Sequence, residues 1–149
     1  MRAELFLRIM EALLPSSMRA EREARMQRSN AAINDIVDRK CAHLRAAWDA
    51  YDTGVDWRGE NEAMHEAARE ELRHQQQQCQ DVQGARIVAW SPRDETCPAC
   101  RALDGQVVAI ETELAAPRLP AAGCTCAPNP GGDSGFCLCS YEPVFDDEM

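Results

Sequence analysis

Six of the eight cysteines in this 149-residue chain form three close pairs in its last third: Cys97-Pro-Ala-Cys100, Cys124-Thr-Cys126 and Cys137-Leu-Cys139. The two residues inside a C-x-x-C turn let both thiolates converge on one ion while backbone amides point at the sulfurs. A second pair further along completes a tetrahedron. The spacing therefore predicts a structural zinc ion held by four of these six cysteines, with Cys97 and Cys100 the firmest pair. The other two ligands come from Cys124 and Cys126, from Cys137 and Cys139, or one from each. Three disulfides, or one metal and one disulfide, are the competing readings, and spacing does not choose among the pairings. After Ile110 the chain turns to Pro, Gly and Cys. With so little apolar core in this segment, ion binding is expected to supply most of its folding free energy, on the order of 10 kcal/mol.

Other chemistry is poorly represented. There is no Ser-His-Asp set and no Gly-rich phosphate loop, and no histidine follows His74. A site closed by four thiolates leaves no position for water or substrate, so no enzyme is expected. Asp94, Glu95 and Asp104 suit turns and caps better than acid–base work. A thioredoxin-like role for Cys97 and Cys100 needs a parallel sheet, and none is written here. His65 and His74 lie nine residues apart on a helix, about 180° from each other, and read as surface histidines. Cys41 and Cys79 read as small apolar fillers on helices.

The elements that must position the cysteines follow from periodicity. Residues 1–14 read as a short amphipathic helix, with Leu5, Ile9, Met10 and Leu13 on one side, ended by Pro15-Ser16-Ser17. From Met18 to Tyr51 a long helix is expected. Its apolar stripe (Ile33, Ile36, Val37, Cys41, Leu44, Trp48, Tyr51) starts late, leaving residues 18–30 exposed or gripped by another chain. Residues 52–59 read as a loop. A second helix is expected from Glu60 to Cys79, with Ala63, Met64, Ala67, Ala68 and Leu72 inward. Residues 85–90 and 106–110 are short, β-branched runs that predict strands, the latter fed by the Asp104-Gly105 turn. The fold class is thus α+β: a helical amino-terminal two-thirds (residues 1–81) and a small β-containing, zinc-ribbon-like carboxy-terminal module (residues 82–149).

Composition bounds the partners. The chain is rich in Ala, Arg, Glu and Gln, and has only three Trp, two Tyr and three Phe. That is helix-forming material with few bulky core residues. Net charge is −9. Residues 1–45 carry nine basic and six acidic groups, and the acid excess lies entirely beyond them. An acidic body is repelled by the nucleic-acid backbone, and the module offers only Arg93, Arg101 and Arg118, so direct nucleic-acid binding is not expected. The Leu5–Leu14 stretch is too short and too charged to span a bilayer and lacks a cleavage site, so no membrane partner is expected. Synthesis in a cytosol, where clustered cysteines hold metal more often than they pair, follows.

The run Ala85-Arg86-Ile87-Val88-Ala89-Trp90-Ser91-Pro92-Arg93-Asp94-Glu95-Thr96-Cys97-Pro98-Ala99-Cys100-Arg101-Ala102-Leu103-Asp104-Gly105-Gln106-Val107 has a distinctive form. A strand ends in Trp, a Thr-Cys-Pro-x-Cys turn follows, and Leu-Asp-Gly precedes the next strand. With Leu119-Pro120 and Cys137-Leu-Cys139-Ser140-Tyr141-Glu142-Pro143-Val144, it resembles the carboxy-terminal part of the phage head morphogenesis family, the Mu F-like minor head proteins. The resemblance covers Val82 to Val144, less than half of the chain. The family's larger amino-terminal region is missing, which implies a trimmed relative. The family's histidine position is empty, and Cys124 or Cys126 could stand in for it. The resemblance implies a minor virion protein, made in the host cytoplasm and bound to portal or capsid proteins in multiple copies during head assembly. The Leu5/Ile9/Leu13 face and residues Arg19 to Arg28 are the expected contacts. A capsid decoration or cement protein, and a zinc-ribbon nucleic-acid-binding protein, are the alternatives.

Overall fold

The computed structural model describes residues 16–90, 95–129 and 131–145. The helix expected over residues 1–14, with its Leu5/Ile9/Leu13 face, lies outside the described residues, as do Arg93 and Asp94. The chain divides into two compact units, 1–34 and 35–149. The boundary expected at 81/82 falls inside the second unit, where three residues separate a helix from the strand it packs on.

Helix α1 spans Ser16–Asp52 and α2 spans Arg58–Gln78. Both are built from Ala, Arg, Glu and Gln, which lose little side-chain freedom in a helix. In the first unit nearly every described residue is exposed, including Met18 and Met26. This matches the polar run that opens the helix. In the second unit Ile36, Ala47 and Tyr51 of α1 are buried. Arg39 pairs with Glu70 at 2.9 Å, Lys40 with Glu71, and His43 with Glu60 at 2.6 Å, so this part of α1 runs antiparallel to α2. These partly exposed pairs fix register more than they stabilise. Cys41 is exposed rather than a filler, because the stripe it belongs to is only partly covered. Cys79 is half-buried and follows α2 as its C-cap.

A three-stranded antiparallel sheet follows, in the order β2-β1-β3. Strand β1 covers Val82–Val88, β2 Val107–Ala109 and β3 Ser140–Phe145. β1 begins three residues earlier than its β-branched run suggests. An irregularity of register between Val82 and Gly84 lets Val82 share the buried side with Ala85 and Ile87. Trp90 is exposed and lies beyond the strand. β3 was not anticipated, since Pro143 argues against a strand. It is an edge strand, where a missing N–H is tolerated. Two short helices complete the fold, α3 at Pro98–Leu103 and α4 at Ile110–Ala115. Ile110, expected to end a strand, instead opens α4 and is fully buried.

Apolar packing extends further into the cysteine-rich segment than its composition suggests. Leu119, Phe136, Leu138 and Val144 are all buried. Phe136 meets Trp57 at 5.0 Å, Tyr51 at 5.4 Å and Trp48 at 5.7 Å between ring centroids. The loop before it approaches the same cluster: Tyr51 donates to the Asp133 carbonyl at 2.8 Å, and a Cβ at Gly132 would collide with the Tyr51 ring. No helix among the described residues is long and apolar enough to cross a membrane.

Candidate metal centre

The cysteines converge because three separate segments meet at the same place. Cys97 is the N-cap of α3, with Pro98 in the first turn, where proline's fixed φ suits helix entry. Arg101 holds that turn, its backbone N–H donating to the Cys97 carbonyl at 2.9 Å and its guanidinium to the Thr96 carbonyl at 2.8 Å. Cys100 then points inward from α3 and is fully buried. Asp104, at the end of α3, accepts a hydrogen bond from the Ala89 N–H at 2.9 Å, tying the knuckle to β1. Gly105, with φ +76°, turns the chain into β2. These are the turn and cap roles expected of Asp104.

Cys124 follows Gly123, whose φ of +74° again needs no Cβ, and its N–H donates to the Ala121 carbonyl at 3.0 Å. The Cys126 carbonyl accepts N–H groups from Gly135 at 3.0 Å and Phe136 at 3.1 Å, which closes the loop and delivers Cys137 beside the first pair. Cys137 and Cys139 are buried just ahead of β3. Ile87, Leu119 and Ala121 wall the cluster, with Ala89, Leu103 and Tyr141 against it.

All six cysteines are brought together, in two groups that could hold a metal ion: Cys97, Cys100, Cys124 and Cys126, and then Cys100, Cys137 and Cys139. Within each group the sulfurs lie within 4.8 Å of one another. Cys97 and Cys124 are 3.9 Å apart, Cys100 and Cys124 3.6 Å, and Cys100 and Cys126 4.0 Å. Thiolates bound tetrahedrally at about 2.3 Å sit about 3.8 Å apart. Disulfide sulfurs would be bonded at about 2.0 Å, and no two cysteine sulfurs are bonded in this structure. The spacing fits tetrahedral coordination of a metal ion.

Hydrogen-bond donors are aimed at the sulfurs. Burial pushes the Cys97 thiol up, but the N–H groups of Cys100 and Thr125 and the neighbouring thiols outweigh it and bring it down to about 6. Cys137 is also pulled down, first by the Cys124 and Cys139 thiols and then by His65 and the Ala121 N–H, which lies 3.4 Å from its sulfur. The thiols that surround these two are pushed up. Burial and the Cys137 charge act on Cys100, while Cys124 and Cys139 keep their protons chiefly to donate to Cys137. A soft divalent ion would bind these sulfurs as thiolates and displace their protons.

His65 is the residue that sequence reasoning misplaced. It is buried, not on the surface, and its Nε2 donates to the Cys137 carbonyl at 3.0 Å. Asn61, one turn earlier, donates to the same oxygen at 2.9 Å. The helical wheel separates His65 from His74 correctly, but it cannot show that a segment more than seventy residues later covers one of them.

No protein-family model matches the chain, and neither a curated protein nor a solved structure matches it. Its chemistry must be argued from the cluster itself. Cys97–Cys100 does open a helix, as in dithiol redox motifs, but α3 is six residues long and the sheet is antiparallel. The cluster presents its sulfurs to one another at metal-ligand spacing. Glu113, which no motif signals, is buried beside it in the fold. It accepts from Tyr141 Oη at 2.7 Å and from the Arg118 backbone N–H and Nε at 2.8 and 3.0 Å. That is a satisfied structural carboxylate linking α4 to β3.

Proposed function

We propose that this chain is a structural protein whose cysteine cluster is closed around zinc, and that it serves as a minor component of a tailed-phage head. The carrying observation is the group Cys97, Cys100, Cys124 and Cys126, three of them buried and Cys124 half-buried, with sulfurs at tetrahedral spacing. Thiolates favour soft ions, and redox-inert zinc suits a site whose sulfurs are largely covered by protein. Such a site holds loops rather than transforms a substrate.

The head assignment rests on the resemblance around Trp90, Cys97, Cys100 and the Leu103-Asp104-Gly105 turn. The described part of the first unit offers an exposed helical surface, residues 16–34, on which portal or capsid proteins could dock. Mass spectrometry of purified particles from the phage that encodes the chain tests this reading. Its peptides should co-purify with heads at a fixed low copy number, and deleting its gene should lower the yield of filled heads. Particles that lack the peptides and assemble normally after deletion would overturn it.

A further inference from the structure

The second cysteine pair is as deliberately built as the first. Cys137 is fully buried and Cys139 is 2 % exposed, yet a single ion on Cys97, Cys100, Cys124 and Cys126 leaves both without a task. The protein nevertheless directs polar groups to this spot. The Ala121 N–H points at the Cys137 sulfur from 3.4 Å, and buried Asn61 and His65 both fix the Cys137 carbonyl. An idle thiol in an apolar wall would need no N–H aimed at its sulfur, and the two side-chain donors hold the backbone that carries it.

We infer that the six cysteines hold two metal ions in one cluster, with Cys100 and Cys124 as shared thiolates. This deepens the zinc reading above and rests on it. Two tetrahedral ions have eight corners in all, and six sulfurs fill them only if two are shared. Cys100 belongs to both groups by distance. By distance the second group holds Cys100, Cys137 and Cys139 alone, and its fourth corner is assigned to Cys124, which lies 3.6 Å from Cys100 against 4.0 Å for Cys126. Cys97 and Cys126 then complete one ion, and Cys137 and Cys139 the other. Charge does not oppose the arrangement: six thiolates and two divalent ions sum to −2, the same as one ion with four thiolates. Loading replaces thiol protons with metal, and those protons leave to solvent with no change of oxidation state. An entry path exists, since Cys124, the only one of the six that is not buried, lines a surface cleft with Trp57, Arg58 and Asn61.

Metal counting by native mass spectrometry on the full chain, paired with cadmium-113 NMR of the cadmium-substituted protein, tests the inference. Two ions per chain are expected, with two thiolate-range cadmium signals that split each other through the shared sulfurs. Cys139→Ser should drop the count from two to one while the second signal disappears. If that variant does not fold, the native count and the splitting decide alone. One ion per chain would overturn the shared cluster and leave a single structural zinc standing, and two signals without mutual coupling would overturn the shared sulfurs. No bound metal would overturn both readings.

Discussion

At the residue scale, two buried polar groupings carry consequences that can be measured. Asn61 and His65 donate to one oxygen, the Cys137 carbonyl. Removing either leaves that oxygen a partner, and Asn61→Ala or His65→Ala should cost about 1–2 kcal/mol. Removing both strands a buried acceptor, so the double variant should cost more than the sum, by at least about 0.5 kcal/mol in a urea-denaturation cycle. Strict additivity would show that the two donors act independently. Glu113 is 1 % exposed and accepts three hydrogen bonds, so Glu113→Ala should destabilise by about 2–3 kcal/mol in the same assay. Burial first, and then the hydrogen bond to Glu113, push the Tyr141 phenol above its ordinary value of 10.0. Because the folded value is the higher one, this contribution to stability is complete below pH 10 and is lost as pH rises through the folded value. An ultraviolet pH titration compared with Tyr141→Phe should show this phenol ionising late. Ionisation at pH 10 would contradict the buried contact. Neither His65 nor Glu113 was legible as a site residue. A helix pattern shows which face turns inward, not which later carbonyl or hydroxyl will meet it.

At the element scale, the cysteine knuckle was readable and its frame only partly so. Local signals sufficed for α1, α2 and the turn at Asp104-Gly105, because 3.6-residue periodicity and a glycine at positive φ are properties of short windows. β3 is specified by pairing with β1, where Pro143 lies opposite Ala85, and its own residues do not announce it. α4 was hidden because Ile110 looks like the last residue of a strand until its burial under α2 and β1 is seen. Phe136 shows how frame and site are joined. Its ring fills the cluster of Trp48, Tyr51 and Trp57, and the next residue is a cysteine of the cluster. Phe136→Ala should cost about 3–5 kcal/mol by denaturation. It should also weaken metal retention against a competing chelator, because Cys137 is then presented from a loosened loop. Unchanged metal retention in a destabilised variant would separate the aromatic cluster from the site.

At the scale of the whole molecule, the candidate metal cluster and the apolar packing lie in the same unit, residues 35–149. The cysteine-rich segment is not devoid of core, as its composition suggests, because Leu119, Phe136 and Leu138 are buried, the last two against Ala47 and Tyr51 of α1. Binding at the cluster is therefore expected to order residues 97–139 while α2 keeps part of its structure from its own packing. Hydrogen–deuterium exchange of the full chain, with and without a strong chelator and with metal content followed in parallel, tests this directly. Amides of residues 97–139 should be strongly protected with metal bound. They should lose that protection in step with metal loss and regain it when zinc is restored. Protection that persists after every ion has been removed would contradict a cluster closed by metal, and would mean that packing alone holds the cysteines together.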